Sequence, residues 1–159
     1  MHVILTHEQA DFDAIASLLG AFILQEKAIP VLPNVLNRNV RDFLRLYATD
    51  LPLIQPSDLP NESIDSVTLV DTQSLVTKKG LNKKTEIFII DHHKKKVDLP
   101  PHWEYKGTET SSCTTYFIEQ LMERNNSSLS IIEATLLLLG IYEDTGSLTY
   151  ANTSAGDAS

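Results

Sequence analysis

Short apolar runs rich in β-branched residues alternate along this chain with longer stretches of helical periodicity, and run after run stops on an acid or a histidine. Runs this short read as strands, and strands separated by helices belong in a parallel α/β sheet. The first is His2 to Thr6, followed directly by His7 and the loop Glu8-Gln9-Ala10-Asp11-Phe12-Asp13. Ile15, Leu18, Leu19, Phe22 and Ile23 then recur at the helical spacing, which predicts a helix over about Ala14 to Lys27 with Asp13 as its N-cap and Asp11 as a loop acid. Ala28 to Leu32 is a second strand, and Pro30 and Pro33 assign it to an edge or an early end.

A second helix, about Val40 to Tyr47 with Asn39 as its cap, turns Val40, Phe43, Leu44 and Tyr47 inward. The proline-punctuated stretch Leu51 to Asn61 is a connection. Ser66 to Val70 is a strand, and Asp71 stands immediately after it. Beyond a polar segment through Thr85, the apolar run Glu86-Ile87-Phe88-Ile89-Ile90 ends abruptly in Asp91-His92-His93. Pro100 and Pro101 break the chain before a short last strand with Trp103 and Tyr105, Trp103 lying in the core. The turn Thr108 to Ser112 opens a helix running to about Arg124, with Cys113 as a small buried hydrophobe. The last helix, about Ser130 to Tyr142, carries Leu136 to Leu139, is apolar nearly all round and is expected to lie against the sheet. It runs into Glu143-Asp144-Thr145-Gly146. Two acids at a helix C-terminus oppose the macrodipole, and a local rule broken in this way points to function. The expected fold is α/β: a doubly wound, mainly parallel sheet with helices on both faces.

Composition narrows the functional classes. With 159 residues, 42% of them hydrophobic, the chain can bury one sizeable core and is read as one domain. No segment reaches the length of a bilayer span, and the N-terminus lacks the layout of a signal peptide. Cys113 is the one cysteine, so neither a disulfide nor a cysteine zinc cluster forms, and a cytoplasmic location is expected. A net charge of −8 argues against broad nucleic-acid binding by this domain, yet acids gathered around a cation count toward that charge while making a site that attracts anions. Arg38, Arg41 and Arg45 read as a solvated face or as phosphate contacts, and so do Lys94, Lys95 and Lys96.

His7, Asp11, Asp13, Asp71, His92, His93 and Asp144 each stand beside the expected end of a strand or helix that points to one edge of the sheet. Open α/β sheets bind their ligands along that edge. Histidine and carboxylate together suit Mn²⁺, Mg²⁺, Co²⁺ or Zn²⁺ rather than a thiolate site. Two histidines and four carboxylates suffice for two divalent ions sharing one aspartate. Asp71 is the candidate for the shared position, because it alone follows a central strand between the two ligand groups.

His7-x-x-x-Asp11-x-Asp13-Ala14, Asp71 after a strand, Asp91-His92-His93 and Gly140-Ile141-x-x-Asp144-Thr145-Gly146 resemble, in order, the motifs of the DHH phosphoesterase family. That family includes RecJ-type exonucleases, oligoribonucleases, cyclic-dinucleotide phosphodiesterases, family II inorganic pyrophosphatases and exopolyphosphatases. The resemblance implies that His7 and Asp11 hold one metal, that Asp13, His92 and Asp144 hold the other, and that Asp71 bridges them. It implies that Asp91 orients the histidines while His93 faces the substrate phosphate as an acid or a charge stabiliser. Mn²⁺ is the implied metal, with Mg²⁺ or Co²⁺ as substitutes.

Phe12 stands where the family commonly has glycine, and Lys94 where a proline often follows the histidines. In this form the first motif is most similar to DHH modules fused to CBS domains and a tRNA nucleotidyltransferase or poly(A) polymerase-like domain. A smaller C-terminal domain that closes over the metals is also implied and is not recognisable in these residues, so 1–159 is expected to be the N-terminal domain of a longer protein. The expected activity is two-metal hydrolysis of a phosphoester or phosphoanhydride in a phosphate-containing small molecule or short oligonucleotide, weak in the domain alone. The alternatives are a module of a larger RNA-processing enzyme, reaching RNA through other domains, and a metal-binding regulatory domain without turnover.

Overall fold

The computed structural model describes residues 1–25, 27–76, 78–124 and 128–158. Five strands, β1 (His2–Leu5), β2 (Ile29–Pro30), β3 (Ser66–Val70), β4 (Glu86–Asp91) and β5 (Glu104–Gly107), form one sheet in the order β2-β1-β3-β4-β5. Every pairing is parallel. The α-helices are α1 (Phe12–Leu24), α2 (Arg38–Tyr47), α3 (Cys113–Arg124) and α4 (Ile131–Asp144). The α/β class and the parallel sheet are those the patterning predicts. β2 is an edge strand, and Pro30, which has no N–H to donate, is its last residue.

Register decides where the chemistry can lie. Leu5 is level with Leu69, and Leu69 with Ile89, so β1, β3 and β4 finish along one edge and deliver His7, Asp71 and Asp91 there together. The chain leaves β1 toward β2 on one side and returns to β3 on the other, so the switch point of the sheet lies between β1 and β3. His7 and Asp71 flank it.

Alternation along the strands sorts two cores. Ile4 and Val70 face α1 and α3 in a cluster that also takes Val40 and Leu44 of α2 and Leu136 and Leu137 of α4. Val3, Leu5, Val67, Leu69, Ile87 and Ile89 face the opposite way. There they meet the connections: Ile54 and Leu59 on either side of the 3-10 turn Pro56–Asp58, then Leu75, Leu81 and Trp103. Trp103 is half-buried at the margin of this second core.

Several local expectations are corrected. Asp11, not Asp13, is the N-cap of α1, its Oδ1 accepting from Ala14 N at 3.0 Å, while Asp13 sits within the first turn. Asn37, not Asn39, caps α2. α1 ends at Leu24; the expected extension to Lys27 includes Glu26, which lies outside the described residues. α4 packs on α1 and α3 rather than on the sheet, and leaves Ile131, Leu138 and Tyr142 exposed. The approach is close because glycine allows it. A Cβ on Gly140 would lie 2.5 Å from Thr114 Oγ1 and 2.7 Å from Ala16 Cβ, and one on Gly20 would lie 2.6 Å from Phe117 Cβ. After α4 the chain forms a 3-10 turn over Ala155–Ala158, with Ser159 outside the described residues.

Candidate metal centre

His7 leaves β1 with its ring fixed by its neighbour: Nδ1–H donates to the Glu8 carbonyl at 2.9 Å, which turns Nε2 toward Asp71 Oδ2, 3.4 Å away. A carbonyl that takes one ring N–H leaves the other nitrogen free to bind a cation. Asp11 spends one oxygen on capping α1 and keeps the other.

Asp13 is fully buried, its Oδ2 accepting from Cys113 N at 2.9 Å and its Oδ1 from Thr114 N at 2.7 Å. The positive end of α3 therefore holds this carboxylate in place. Burial pushes the Asp13 carboxyl well above its ordinary pKa, and repulsion from Asp71 and Asp144 adds to the rise.

Asp71 follows β3 with φ 52°, a left-handed conformation that aspartate tolerates better than most residues. Its two oxygens serve different sides: Oδ2 faces His7, and Oδ1 stands 3.3 Å from His92 Nε2 and 3.6 Å from His93 Nδ1. His92 Nε2 is also 3.1 Å from Asp144 Oδ2 and 3.7 Å from Asp13 Oδ2. Asp144 ends α4, and the preceding Glu143 ties that end to α1 by accepting from Phe12 N.

The histidines are charged by these neighbours. The Asp71 carboxylate, working against burial, raises His7 to about 9. Burial alone would lower His92, but Asp144, Asp71 and Asp13 together raise it to about 10. Asp71 lies below the ordinary carboxylate range: burial would raise it, and His7 and His92 prevail.

Asp91 is buried and directs His93 alone, its Oδ1 lying 2.8 Å from the ring Nδ1 and accepting from the backbone N at 3.2 Å. Its Oδ2 accepts from Gln73 Nε2 at 2.7 Å. His93 remains 62% exposed at the mouth of a cavity of about 410 Å³ that His7, Asp71 and Asp144 also line. A larger groove of about 850 Å³, walled by Ile23, Phe88 and Ile90, contains none of these residues.

Donor atoms of His7, Asp11 and Asp71 lie within 4.8 Å of one another, as do those of Asp13, His92 and Asp144, and those of Asp71, Asp91, His92 and His93. Each set could hold a divalent ion. The fit is chemical as well as spatial, because Asp71 Oδ1 and His92 Nε2 are both buried and neither has a hydrogen-bond partner. Buried polar atoms without partners are costly, and a cation between them would satisfy both. The candidate histidines and aspartates named from the sequence, His7, Asp11, Asp13, Asp71, Asp91, His92, His93 and Asp144, meet at this edge. Arg38 and Arg45 do not; they pair with Asp42 on the exposed face of α2. Sequence reasoning missed Gln73 and the amides of α3. Gln73, two residues after Asp71, carries a weak signal as one more polar residue at a strand end; the amides carry none.

A histidine and carboxylate cluster at the carboxyl edge of a parallel sheet, beside its switch point, marks an α/β domain with a candidate divalent-metal centre. The chain belongs to the DHH family, whose N-terminal-domain model matches residues 2–141. It is 34% identical over 167 residues to the A-adding tRNA nucleotidyltransferase of Geobacter sulfurreducens, an alignment covering 99% of this chain and 18% of that protein. To the enzyme of the same name from Aquifex aeolicus it is 30% identical over 156 residues, with 98% and 18% covered. The chain thus spans less than a fifth of these curated relatives, which are of the nucleotidyltransferase type that the first motif resembles. Among solved structures, a putative family II inorganic pyrophosphatase of Methanococcus jannaschii aligns with a TM-score of 0.72 at 24% identity, covering 99% of this chain and 52% of that one. An exopolyphosphatase-related protein from Bacteroides fragilis aligns with a TM-score of 0.58 at 21% identity, covering 97% and 48%. These two show a shared fold.

Proposed function

We infer that this domain hydrolyses phosphoester or phosphoanhydride bonds with two divalent ions, Mn²⁺ first among them. His7 and Asp11 would hold one ion, Asp13, His92 and Asp144 the other, and Asp71 both. The observation that carries this reading is the placement of the Asp71 oxygens, one toward His7 and one toward His92. Paired divalent ions lower the pKa of water and neutralise charge on a transferring phosphoryl group. The protein's own residues supply the rest. Asp91 fixes the His93 ring at Nδ1, so that its Nε2 is the atom available to a phosphate oxygen or a leaving group.

The substrate side of the centre lies open, with His93 largely exposed, so we expect slow turnover by this domain alone. A second reading rests on the curated relatives: the domain is a module of a longer tRNA nucleotidyltransferase, cytoplasmic and meeting RNA through other parts of that protein. The two readings are compatible. A purely regulatory, non-catalytic role is disfavoured by the complete donor set. The test is metal analysis and hydrolysis of bis-p-nitrophenyl phosphate after loading with Mn²⁺. Up to two ions per chain and a Mn²⁺-dependent rate lost in Asp71→Asn are expected; metal content equal in wild type and a His92→Ala, Asp71→Ala double variant would refute it.

A further inference from the structure

We propose that the groove of about 850 Å³ at the ends of α1 and α3 binds a free nucleoside monophosphate whose base carries an amino group, away from the metal centre. Such a site does not depend on the phosphoesterase reading. Register builds its floor. Thr68 is level with Phe88, Phe88 with Glu104, and Ile90 with Lys106, so these side chains alternate onto the face that carries Val70 and α1. α1 packs over β1, β2 and β3. Phe88 and Ile90 lie farther across the sheet and stay half-buried, as does Ile23 of α1. An aromatic ring and two isoleucines in one groove offer a flat base a surface on which to stack.

The course of the helices separates this groove from the metal ligands. α1 and α3 both start at the carboxyl edge, where the α3 amides hold Asp13, and both end at the groove with Leu24 and Arg124. None of the candidate metal ligands borders it.

The charges around the groove suit a single anionic group. Lys27, Lys106 and Arg124 border it, and Glu104 is the one carboxylate among the described residues that does. Lys106 Nζ donates to Tyr116 Oη at 2.7 Å, and Arg124 Nη1 to the Leu24 carbonyl at 2.9 Å. Neither partner is a carboxylate, so these bonds position the cations without cancelling them. His2 adds no charge at neutral pH: burial, and then the nearby amino terminus, lower its pKa, and its Nε2 stands 2.8 Å from Thr68 Oγ1. Against the three cations stand Glu104 and two helix C-termini, each worth about half a negative charge. The balance is about one positive charge, in a chain whose net charge is −8. It favours one phosphate and gives no advantage to a second.

Gln25 selects the base. This residue caps the C-terminus of α1 and borders the groove, and its Oε1 is buried with no hydrogen-bond partner. A buried acceptor without a donor is costly, and the amino group of a stacked base supplies the missing N–H. A fatty acid would bring the charge and the apolar body but no such donor. Adenine and cytosine carry the amino group, whereas hypoxanthine and uracil do not. The volume also falls within the roughly 300–1,000 Å³ of small-molecule sites.

The experiment is calorimetric titration of the metal-free protein, whose acidic centre repels phosphate, with adenosine 5′-phosphate, adenosine 5′-diphosphate, adenosine and inosine 5′-phosphate. Adenosine should bind roughly 10- to 100-fold more weakly than its 5′-phosphate, and inosine 5′-phosphate roughly 5- to 30-fold more weakly. The diphosphate should match the monophosphate within about 3-fold. A Lys106→Gln, Arg124→Gln double variant should bind adenosine and its 5′-phosphate nearly alike, and Gln25→Leu should no longer distinguish the adenine from the hypoxanthine nucleotide.

Wild type alone gives a second readout. On titration with adenosine 5′-phosphate, the amide NMR signals of Ile23 to Gln25 and of Glu104 to Lys106 should move, and those of His7, Asp71 and His93 should stay. No saturable binding below about 1 mM would overturn the proposal. So would equal affinity for adenosine or for inosine 5′-phosphate, a large gain for the diphosphate, or shifts at the metal centre in place of the groove.

Discussion

Replacing Asp71 by Asn keeps the shape of the side chain and removes the one charge that faces both histidine groups. In the metal-free protein the consequences oppose one another. Attraction to His7 and His92, at 3.4 Å and 3.3 Å, is lost, while the repulsion that Asp71 exerts on Asp13 and the cost of burying its charge are relieved. Neither histidine is stranded, because Asp144 remains 3.1 Å from His92 and Asp11 remains beside His7. Because the histidines outweigh burial at Asp71, the metal-free variant should be less stable than wild type, the remaining carboxylates limiting the loss. With metal the loss grows. At Mn²⁺ a hundredfold above the Kd of each site, wild type gains about 2.7 kcal/mol per ion and about 5.4 kcal/mol for two, or roughly 11–22 °C in Tm for a domain of this size. Asp71→Asn should lose nearly all of that rise, and Asp11→Asn about half, since it serves one group. Melting by calorimetry with and without Mn²⁺ reads both quantities. A variant that melts like wild type without metal and still shows the full rise would refute the bridging role.

Metal binding should release protons, because His7 and His92, raised to about 9 and about 10, are charged at neutral pH without metal. Apparent Mn²⁺ affinity should then climb from pH 6 to 9, and binding enthalpies should differ between buffers of different ionisation enthalpy; identical enthalpies would contradict the assignment. The same histidines hold their protons more tightly folded than unfolded. The stabilisation they give the metal-free protein is full below about pH 6.5 and is lost as pH rises through 9 to 10, so the metal-free Tm should drop there. Gly140→Ala should push α4 away from α1, lower stability by roughly 1–3 kcal/mol and Tm by about 2–12 °C, and weaken Mn²⁺ binding through Asp144. A Tm within about a degree of wild type would show that the crossing is looser than described.

Short-range pattern made the strands and their terminal residues legible. Ser66 to Val70 and the run into Asp91 stand in the sheet as read, because β-branched density and an abrupt polar stop are local signals. The helix starts were less legible for a local reason as well. Asp11 and Asp13 are both acceptable caps, and the choice is made by α3, whose Cys113 and Thr114 amides claim Asp13 from a hundred residues away. No window of sequence contains that contact. α4 was misplaced because its apolar content promised full burial, whereas Gly140 lets it dock on α1 along a narrow face and leave Leu138 exposed. Gln73 was passed over because its role depends on what lies opposite, and only the pairing of β3 with β4 brings it to Asp91.

The centre also departs from what stability alone would select. Asp13 is buried without a countercharge strong enough to keep its pKa low, Asp71 holds a left-handed backbone, and Asp71 Oδ1 and His92 Nε2 lack hydrogen-bond partners. The buried Asp13 charge would be relieved by a neutral substitution, the partnerless atoms by a cation, and the left-handed backbone at Asp71 only by glycine. Partnerless buried atoms also occur at Ser17 in α1 and at Gln25, but at this sheet edge they stand together with a buried acid and a left-handed backbone, the combination of a site kept for what it binds. The relief has a direction that can be measured. Asp13→Asn should bring the metal-free protein to equal or higher Tm, because it removes a buried charge while the Asn side-chain oxygen can still accept one of the two α3 amides. Loaded with Mn²⁺, the order should reverse, with wild type the more stable. If Asp13→Asn instead melted well below wild type without metal and lost nothing with it, the buried acid would be a structural brace for α3, and the inner ligand group would have to be redrawn around His92 and Asp144 alone.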